Sequence, residues 1–325
     1  MGDVFISVRG RILINVEALN MVESVGQYVK RRRVPVISPV GGYVTFLVPA
    51  ISGAMLAHGF QRTLAEIALK RNLPVCRFCR QGIFIKSSNL PSFIAQFRDK
   101  LTGSNTLDSA DKLEKFIIEN CIVEDVGGFL YAPKSPKASE CEKGNNDISL
   151  MRSLKLIKGQ KPTISNLRRT SLFSTGYMIP VKEAIESTLI ESQFHSRQAL
   201  GVPEPIMKIS QMPYNVELSS AVYTFSFDLD TKFIGKYTYD IDKAGKLALN
   251  SENERIERIK AAIEALKEFL VEMRWGAKKT RFLPIVKWES LVIAIADDIW
   301  TVPSPLSANY IKETIDKACR FKPSN

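Results

Sequence analysis

The stretch YNVELSSAVYTFSFDLD, residues 214–230, predicts a long β-strand. Apolar and polar residues alternate along it, so that Tyr223, Phe225 and Phe227 share one face. The segment NSENERIERIKAAIEALKEFLVEM, residues 250–273, has the apolar period of a helix. A long strand followed by a long helix, and then by the strand-like sequence WESLVIAIA, predicts a mixed α and β fold for this half of the chain.

The amino-terminal half repeats this order of strand and helix. Residues 4–16 alternate with period two and predict a strand with one buried face and one solvated face, the latter carrying Arg9 and Arg11. Residues 41–49 predict a second strand after a Gly-Gly turn, and residues 53–71 predict a helix.

Ser52 is the predicted N-cap of that helix, and small residues follow it. The free N–H groups of a first helical turn suit an anion. An ordinary capped helix start, which needs no ligand, is the alternative interpretation.

The predicted elements run strand, strand, helix, irregular insertion, strands, long helix and strand. Two strand–helix–strand groups joined by insertions predict an α+β fold with a split βαβ, or ferredoxin-like, core. That is the core of an RNA-recognition motif. The RNP1 pattern of that module is not found in this sequence, so stacking of bases on its usual aromatic residues is not predicted.

The charge of the chain indicates a polyanionic partner. Its 325 residues include 45 basic and 34 acidic side chains, which gives a net charge of +11. Nucleic acid and an anionic membrane both suit such an excess. The start of the chain does not have the pattern of a signal peptide, and its most apolar stretch, residues 43–60, is interrupted by Pro49 and Gly53. We therefore predict a cytoplasmic protein that binds nucleic acid and no membrane.

Three clusters carry most of the excess charge: Lys30–Arg33, residues 134–169 and residues 278–281. The second cluster contains nine Lys or Arg and three acidic residues over a stretch rich in Ser, Asn and Pro. Its composition predicts a basic excursion that is mobile without a partner. A solvated surface run is the alternative interpretation of any such cluster. Contact with RNA phosphates explains all three together.

The sequence CRFC places Cys76 and Cys79 at the spacing of half a zinc site. Cys121 and Cys141 are the other cysteines nearby, but their spacing matches no zinc motif. We predict no metal site and no cofactor. An incidental pair of thiols and, in a hyperthermophile, a disulfide stay open as alternatives.

The sequence offers little for catalysis. His58 and His195 are its only histidines, and neither has an evident catalytic partner. A nucleotide-binding P-loop and a dinucleotide fingerprint are both missing. Asp297 and Asp298 are suitable ligands for Mg²⁺, although adjacent carboxylates at a strand end are more often solvated.

Seven segments resemble the archaeal CRISPR-associated autoregulator (DevR-type) family, whose members form the CRISPR RNA-binding backbone of type I-A Cascade. The segments run in order along most of the chain. They are NMVESVGQYVKRRRVPV, VPAISGAMLAHGFQ, VEDVGGFLYAP, RRTSLFSTGYMIP, ESQFHSR, YNVELSSAVYTFSFDLD and KKTRFLPIVKWESLVI.

The resemblance implies a modified RNA-recognition-motif palm over residues 1–50 and 171–325, a helical insertion over 51–131 and a basic, mobile thumb over 132–170. It implies copies that lie side by side along one CRISPR RNA, hold its sugar-phosphate backbone and leave its bases free to pair with target DNA. The implied partners are CRISPR RNA, target DNA through the guide, further copies of the chain and other Cascade subunits. Catalytic residues, metal ligands and cofactors are not implied.

The resemblance also implies RNA-binding positions in five groups. They are Asn20, Ser24, Lys30, Arg31, Arg32 and Arg33; Ser52, Gly53 and His58; Arg168, Arg169 and Thr170; His195 and Arg197; and Lys278, Lys279 and Arg281.

Two alternatives remain at this point. The first is a metal-dependent ribonuclease on a similar fold, with Asp297 and Asp298, or Glu124 and Asp125, at its site. The second is a DNA-binding transcription factor, for which the sequence shows no clear helix-turn-helix.

Overall fold

A computed structural model of the chain describes residues 2–25, 28–38, 42–102, 105–134, 146–195 and 214–320. The fold mixes helices and strands, as the sequence predicted. Its strands are β1 (Phe5–Glu17), β2 (Met21–Val25), β3 (Tyr28–Arg31), β4 (Arg33–Ser38), β5 (Val44–Pro49), β6 (Phe129–Tyr131), β7 (Ile157–Lys158), β8 (Lys161–Pro162), β9 (Leu167–Arg169), β10 (Phe173–Thr175), β11 (Leu189–His195), β12 (Tyr214–Asp230) and β13 (Ile285–Ala296). Its helices are α1 (Gly53–Lys70), α2 (Leu90–Phe97), α3 (Ala110–Asn120), α4 (Ile122–Gly127), α5 (Asn146–Ser153), α6 (Glu252–Val271) and α7 (Tyr310–Arg320).

The chain divides into two compact units. The helical unit comprises Met1–Val4, His58–Ser174 and Leu229–Arg274. The sheet unit comprises Phe5–Ala57, Thr175–Asp228 and Trp275–Asn325. None of the described helices is both long and apolar enough to cross a membrane.

The main sheet has the order β13-β1-β12-β3-β2, and β10 and β11 also pair with β12. Strands β1 and β13 are antiparallel along most of their length, whereas β12 and β3 are parallel. The predicted face of Tyr223, Phe225 and Phe227 is fully buried, and Phe225 meets Trp288 edge to face at 5.3 Å. Strand β12 is therefore central because both of its long edges are paired.

The prediction of a solvated face on β1 is wrong. Arg9 forms an ion pair with Asp228 at 2.8 Å, and Arg11 is buried. The Nε of Arg11 donates to the Pro305 carbonyl at 2.9 Å. The segment that follows β13 thus covers this face. Arg11 and Pro305 are 294 residues apart in sequence, and strand periodicity does not reveal such a contact.

Aromatic packing builds the core of the helical unit. Phe93 lies 5.2 Å from Phe97 and 5.8 Å from Phe116 between ring centroids, while Phe60 contacts Phe269 of α6. The N-cap of α6 is Ser251, whose side chain accepts a hydrogen bond from the Glu254 N–H.

The described part of the basic segment, residues 146–169, is folded within the helical unit. It forms α5, the β7–β8 hairpin and β9, which pairs with β6. Its side chains Leu154, Leu156 and Leu167 are buried. Its cations point outward, with one exception described below; the exposed ones are Arg152, Lys155, Lys158, Lys161 and Arg168.

Candidate nucleic-acid interface

The first basic cluster alternates between buried and exposed side chains. Arg31 is 3% exposed, and its guanidinium donates to the carboxylate of Glu17, which is also buried. Glu17 accepts further bonds from Ser219 at 3.0 Å and Tyr223 at 2.9 Å. This corrects the expectation for Arg31, because its charge is already neutralised inside the sheet unit and offers no surface to a phosphate.

The neighbouring residues of this cluster have different surroundings. Lys30 is exposed, and Arg33 is exposed and pairs with Glu217 at 2.8 Å. The side-chain oxygen of Asn20 accepts from Arg32 Nε at 3.1 Å and from the Ser52 N–H at 2.9 Å. Asn20 therefore joins the cluster to the start of α1. Ser24 lies in β2, where it pairs with Val29 of β3.

The start of α1 is packed rather than open. Ser52 is 5% exposed, and its hydroxyl accepts from the Met55 N–H at 3.3 Å, which is the predicted N-cap. A Cβ on Gly53 would lie 2.6 Å from the carbonyl oxygen of Thr175. Glycine is thus required here for close packing. Because both residues are buried, the ordinary capped helix start describes this site, and we do not assign it a phosphate.

Arg169 is the buried exception in the basic segment. Its guanidinium donates to Asp125 at 2.6 Å, to the Phe233 carbonyl at 2.7 Å and to the Lys236 carbonyl at 2.7 Å. Arg258 binds the second oxygen of Asp125 at 3.2 Å. Arg169 therefore stabilises the helical unit and is unavailable to RNA, which corrects the expectation for it.

Three other predicted residues of the helical unit are exposed. They are His58, Arg168 and Thr170. The His58 ring lies edge to face with Phe84 at 5.1 Å, and its Nε2 is 3.2 Å from the Gly82 carbonyl oxygen. The His58 ring therefore lies on the surface of the helical unit.

The strongest candidate site is a basic and aromatic pocket in the sheet unit, which we call the Tyr214 pocket. It is a cavity of about 250 Å³ lined by Tyr214, Val216, Lys278, Thr280, Arg281 and Phe282. The ring of His195 stacks on Tyr214 with centroids 5.2 Å apart and meets Phe282 edge to face at 5.4 Å. The antiparallel pairing of β11 with β12 positions the rings of His195 and Tyr214, because these two residues are directly opposite each other in the register.

The Tyr214 pocket combines positive charge with unused hydrogen-bonding capacity. Arg281 donates to the Tyr214 hydroxyl at 2.8 Å and is exposed. Burial, with a smaller effect of the Arg281 charge, lowers the pKa of Lys278. The Nε2 of His195 is buried without a hydrogen-bond partner among the described residues. Lys279 lies 5.8 Å from the Trp275 ring centroid. Arg197 lies outside the described residues.

A second aromatic group lies on the other face of β12. Asn215 pairs with Phe194 on one side and with Tyr28 on the other, so the three side chains share a face. Phe194 is 66% exposed and Tyr28 is 53% exposed. Lys30 follows two residues after Tyr28 and points to the same face. Aromatic rings beside cations are typical of single-strand binding surfaces.

Sequence reasoning did not select Tyr28, Phe194, Tyr214 or Phe282. A usable signal was present for three of them, since Tyr28, Phe194 and Phe282 each lie within three residues of a basic side chain or a selected histidine, whereas Tyr214 does not. What was missing was the strand pairing that brings 28, 194 and 214–216 side by side.

The family model of the CRISPR-associated negative auto-regulator DevR/Csa2 matches residues 8–315. The chain belongs to the DevR/Csa2 family. It is 34% identical over 322 residues to CRISPR-associated protein Cas7/Csa2 1 of Saccharolobus solfataricus, which covers 97% of this chain and 86% of that protein. It is 35% identical over 318 residues to the CRISPR-associated aCascade subunit Cas7/Csa2 2 of the same organism, covering 96% and 86%.

Solved structures with some similarity also come from CRISPR complexes. A chain of a type IV-B CRISPR complex is 11% identical, with a TM-score of 0.42, and the match covers 89% of this chain and 90% of that one. A chain of a CRISPR RNA-guided surveillance complex before nicking is 10% identical, with a TM-score of 0.40, covering 89% and 75%.

Among the described residues, the aspartates named in the ribonuclease hypothesis lie in different surroundings. Asp125 is fully buried and bound to Arg169 and Arg258. Asp297 and Asp298 are exposed, and Asp298 accepts from the Ile299 N–H at 2.8 Å. Within the described ranges, three or more potential metal ligands come together only at three cysteines. The ribonuclease hypothesis thus gains no support.

Proposed function

We propose that this chain is a non-catalytic subunit that holds CRISPR RNA by its sugar-phosphate backbone and presents the bases for pairing with target DNA. Membership in the DevR/Csa2 family suggests the ligand, since a relative is named as a Cascade subunit. The observation that carries the proposal is the Tyr214 pocket, where Lys278 and Arg281 lie beside the stacked rings of His195 and Tyr214 and the edge-to-face ring of Phe282. Cations bind phosphates there, and an aromatic ring stacks on a base or ribose.

The proposed contact residues are the predicted cations, histidines and Thr170 that are exposed or half-buried, together with the newly found aromatic residues. In the sheet unit they are Lys30, Arg32, Arg33, His195, Tyr214, Lys278, Lys279, Arg281 and the Phe194–Tyr28 face. In the helical unit they are His58, Arg168 and Thr170. Asn20, Ser24 and Arg197 stay predictions, and the buried Arg31, Arg169, Ser52 and Gly53 are left out.

The proposed mechanism is electrostatic. Each cation that neutralises a phosphate releases a condensed counterion. Contacts to phosphate and sugar carry no base code, so the sequence preference for the guide is slight. This suits a subunit that must hold any guide and leave its bases free.

Assembly along the RNA is the second part of the proposal. Strand β13 lies at one end of the described sheet, and Leu291, Ile293 and Ile295 form an exposed apolar row on it. A row of this kind, beside an unpaired strand edge, suits contact with another chain. A head-to-tail contact between copies that does not close gives a helical filament. The strand order β13-β1-β12 with β11 beyond it supports a ferredoxin-like palm.

The Tyr214 pocket is tested by replacing Lys278 and Arg281 together with Ala. We expect affinity for single-stranded RNA to fall by about tenfold or more, because two charge-assisted contacts are lost. The matched control replaces Lys312 and Arg320, two exposed cations of α7, and removes the same charge. An equal loss in both variants would show that the pocket has no special role. Filter binding measures both affinities.

A cleavage assay on the same RNA separates the ribonuclease hypothesis from the proposal. Labelled RNA incubated with the protein and Mg²⁺ is expected to be retained uncut. Cleavage that disappears in an Asp298→Asn variant would instead support the enzyme.

A further inference from the structure

Three cysteines meet in the interior of the helical unit. Cys76 and Cys79 lie on the segment between α1 and α2, and Cys121 lies at the corner between α3 and α4. They are 2%, 1% and 0% exposed, respectively. Their sulfur atoms all lie within 4.8 Å of one another. The sequence analysis treated Cys76 and Cys79 as half of a zinc site and did not accept Cys121, because no spacing rule connects it to a pair more than 40 residues earlier.

Backbone hydrogen bonds hold the three cysteines in this arrangement. The Arg80 N–H donates to the Cys76 carbonyl at 3.1 Å, and the Gly82 N–H donates to the Cys79 carbonyl at 3.1 Å. Gly82 has a φ of 73°, which glycine adopts without strain. The Ile122 N–H donates to the Pro74 carbonyl at 2.9 Å and fixes the third cysteine's corner to the same segment. The backbone thus places the three cysteines next to one another.

Hydrogen-bond donors and one cation surround the sulfurs. The side-chain N–H₂ of Gln96 donates to the Cys76 sulfur at 3.2 Å. The ammonium of Lys86, a half-buried residue, donates to the Gly127 carbonyl at 2.9 Å and interacts electrostatically with all three sulfurs. A donor and a cation of this kind stabilise sulfur in its anionic form.

We propose that Cys76, Cys79 and Cys121 bind one zinc ion. Zinc prefers tetrahedral thiolate sites with Zn–S distances of about 2.3 Å, which place the sulfurs about 3.8 Å apart. Three thiolates and a divalent ion carry one net negative charge, and a carboxylate as fourth ligand adds a second. The half-buried Lys86 ammonium offsets one of these two charges. A disulfide would pair only two of the three sulfurs and leave the third without a role.

The candidate for the fourth ligand is Glu124, whose carboxylate lies outside the group of sulfurs within 4.8 Å of one another and would turn toward them on binding the ion. Its carboxylate is buried and accepts from the Ser87 hydroxyl at 3.1 Å. The Ser87 N–H in turn donates to Gln96 at 3.2 Å, and Gln96 contacts Cys76. A closed site of four protein ligands is structural, because no position remains for a substrate. The ion would clamp the segment between α1 and α2 onto the α3–α4 corner, a role separate from RNA binding.

The first test measures metal in the full-length protein, purified under reducing conditions without chelator. We expect about one zinc per chain by mass spectrometry of the elements. After exchange, Co²⁺ should give thiolate-to-cobalt charge-transfer bands and the strong visible bands of tetrahedral coordination. A Cys319→Ser variant is the matched control, since Cys319 is an exposed cysteine, and it should keep both signals.

Two variants locate the ion. Cys121→Ser should reduce the zinc content to less than about a tenth and abolish the cobalt bands, while Glu124→Gln should shift the visible bands and keep the charge transfer. If Cys121→Ser does not fold, the cobalt spectra of the unaltered chain and of Cys319→Ser still show whether a tetrahedral thiolate site is present. Metal-free protein that takes up no Co²⁺, a disulfide among the three cysteines, or cobalt bands that survive in folded Cys121→Ser would each overturn the proposal.

Discussion

At the scale of single residues, the run Lys30–Arg33 shows how differently four consecutive cations can be used. Strand β3 ends at Arg31 and β4 begins at Arg33, so the chain changes direction within the run. Arg31 is consequently turned into the sheet unit, whereas Lys30 and Arg33 face solvent. Its partners, Glu17 and Tyr223, are distant in sequence. The four cations can be read directly from the sequence. The burial of Arg31 could not be predicted, because only the folded sheet brings Glu17 next to it.

This difference leads to a prediction about stability. Arg31→Ala should lower the free energy of unfolding by about 3–5 kcal/mol, because it leaves the Glu17 carboxylate buried and unpaired. Arg33→Ala should change it by less than about 1 kcal/mol, because the Arg33–Glu217 pair is partly exposed. Urea denaturation of the two variants measures both values. Similar small losses of unfolding free energy in both variants would contradict the buried ion pair. If Arg31→Ala is destabilising as expected, a triple Ala variant of Arg31–Arg33 would report on folding as well as on RNA binding.

At the scale of elements, the sequence predicted the long elements well and their surroundings poorly. Strands β1 and β12 and helices α1 and α6 lie where periodicity placed them, because each has a strong pattern over more than ten residues. The covered face of β1, by contrast, depends on a carboxyl-terminal segment. The Tyr214 pocket likewise depends on the register of β11 against β12 and on the loop after α6. Local pattern carries no information about such long-range contacts.

Strand β13 provides the prediction at this scale. Ile293 is 52% exposed on the apolar row, so Ile293→Asp should leave the fold intact while it prevents assembly of several copies on a long RNA. Ile241→Asp is the matched control, because Ile241 is 94% exposed in the helical unit. Sedimentation of the protein with RNA long enough for several copies gives the mass of the assembly. An unchanged mass for Ile293→Asp, or an equal loss for Ile241→Asp, would remove β13 from the interface.

At the scale of the whole molecule, the net charge of +11 and the positions of the exposed cations together determine how binding responds to salt. A protein that neutralises about five phosphates of a single strand should lose affinity with a slope of about −3.5 in a plot of log affinity against log salt concentration. The Lys278→Ala, Arg281→Ala double variant should reduce the magnitude of this slope by about 1.4, because two contacts are removed. The Lys312→Ala, Arg320→Ala control should keep the original slope, since diffuse charge does not release the same bound counterions. Replacing a mixed-sequence RNA with a homopolymer of equal length should change the affinity only slightly at every salt concentration. A slope near zero, or a strong preference for one sequence, would show that contacts to bases and not to the backbone hold the strand.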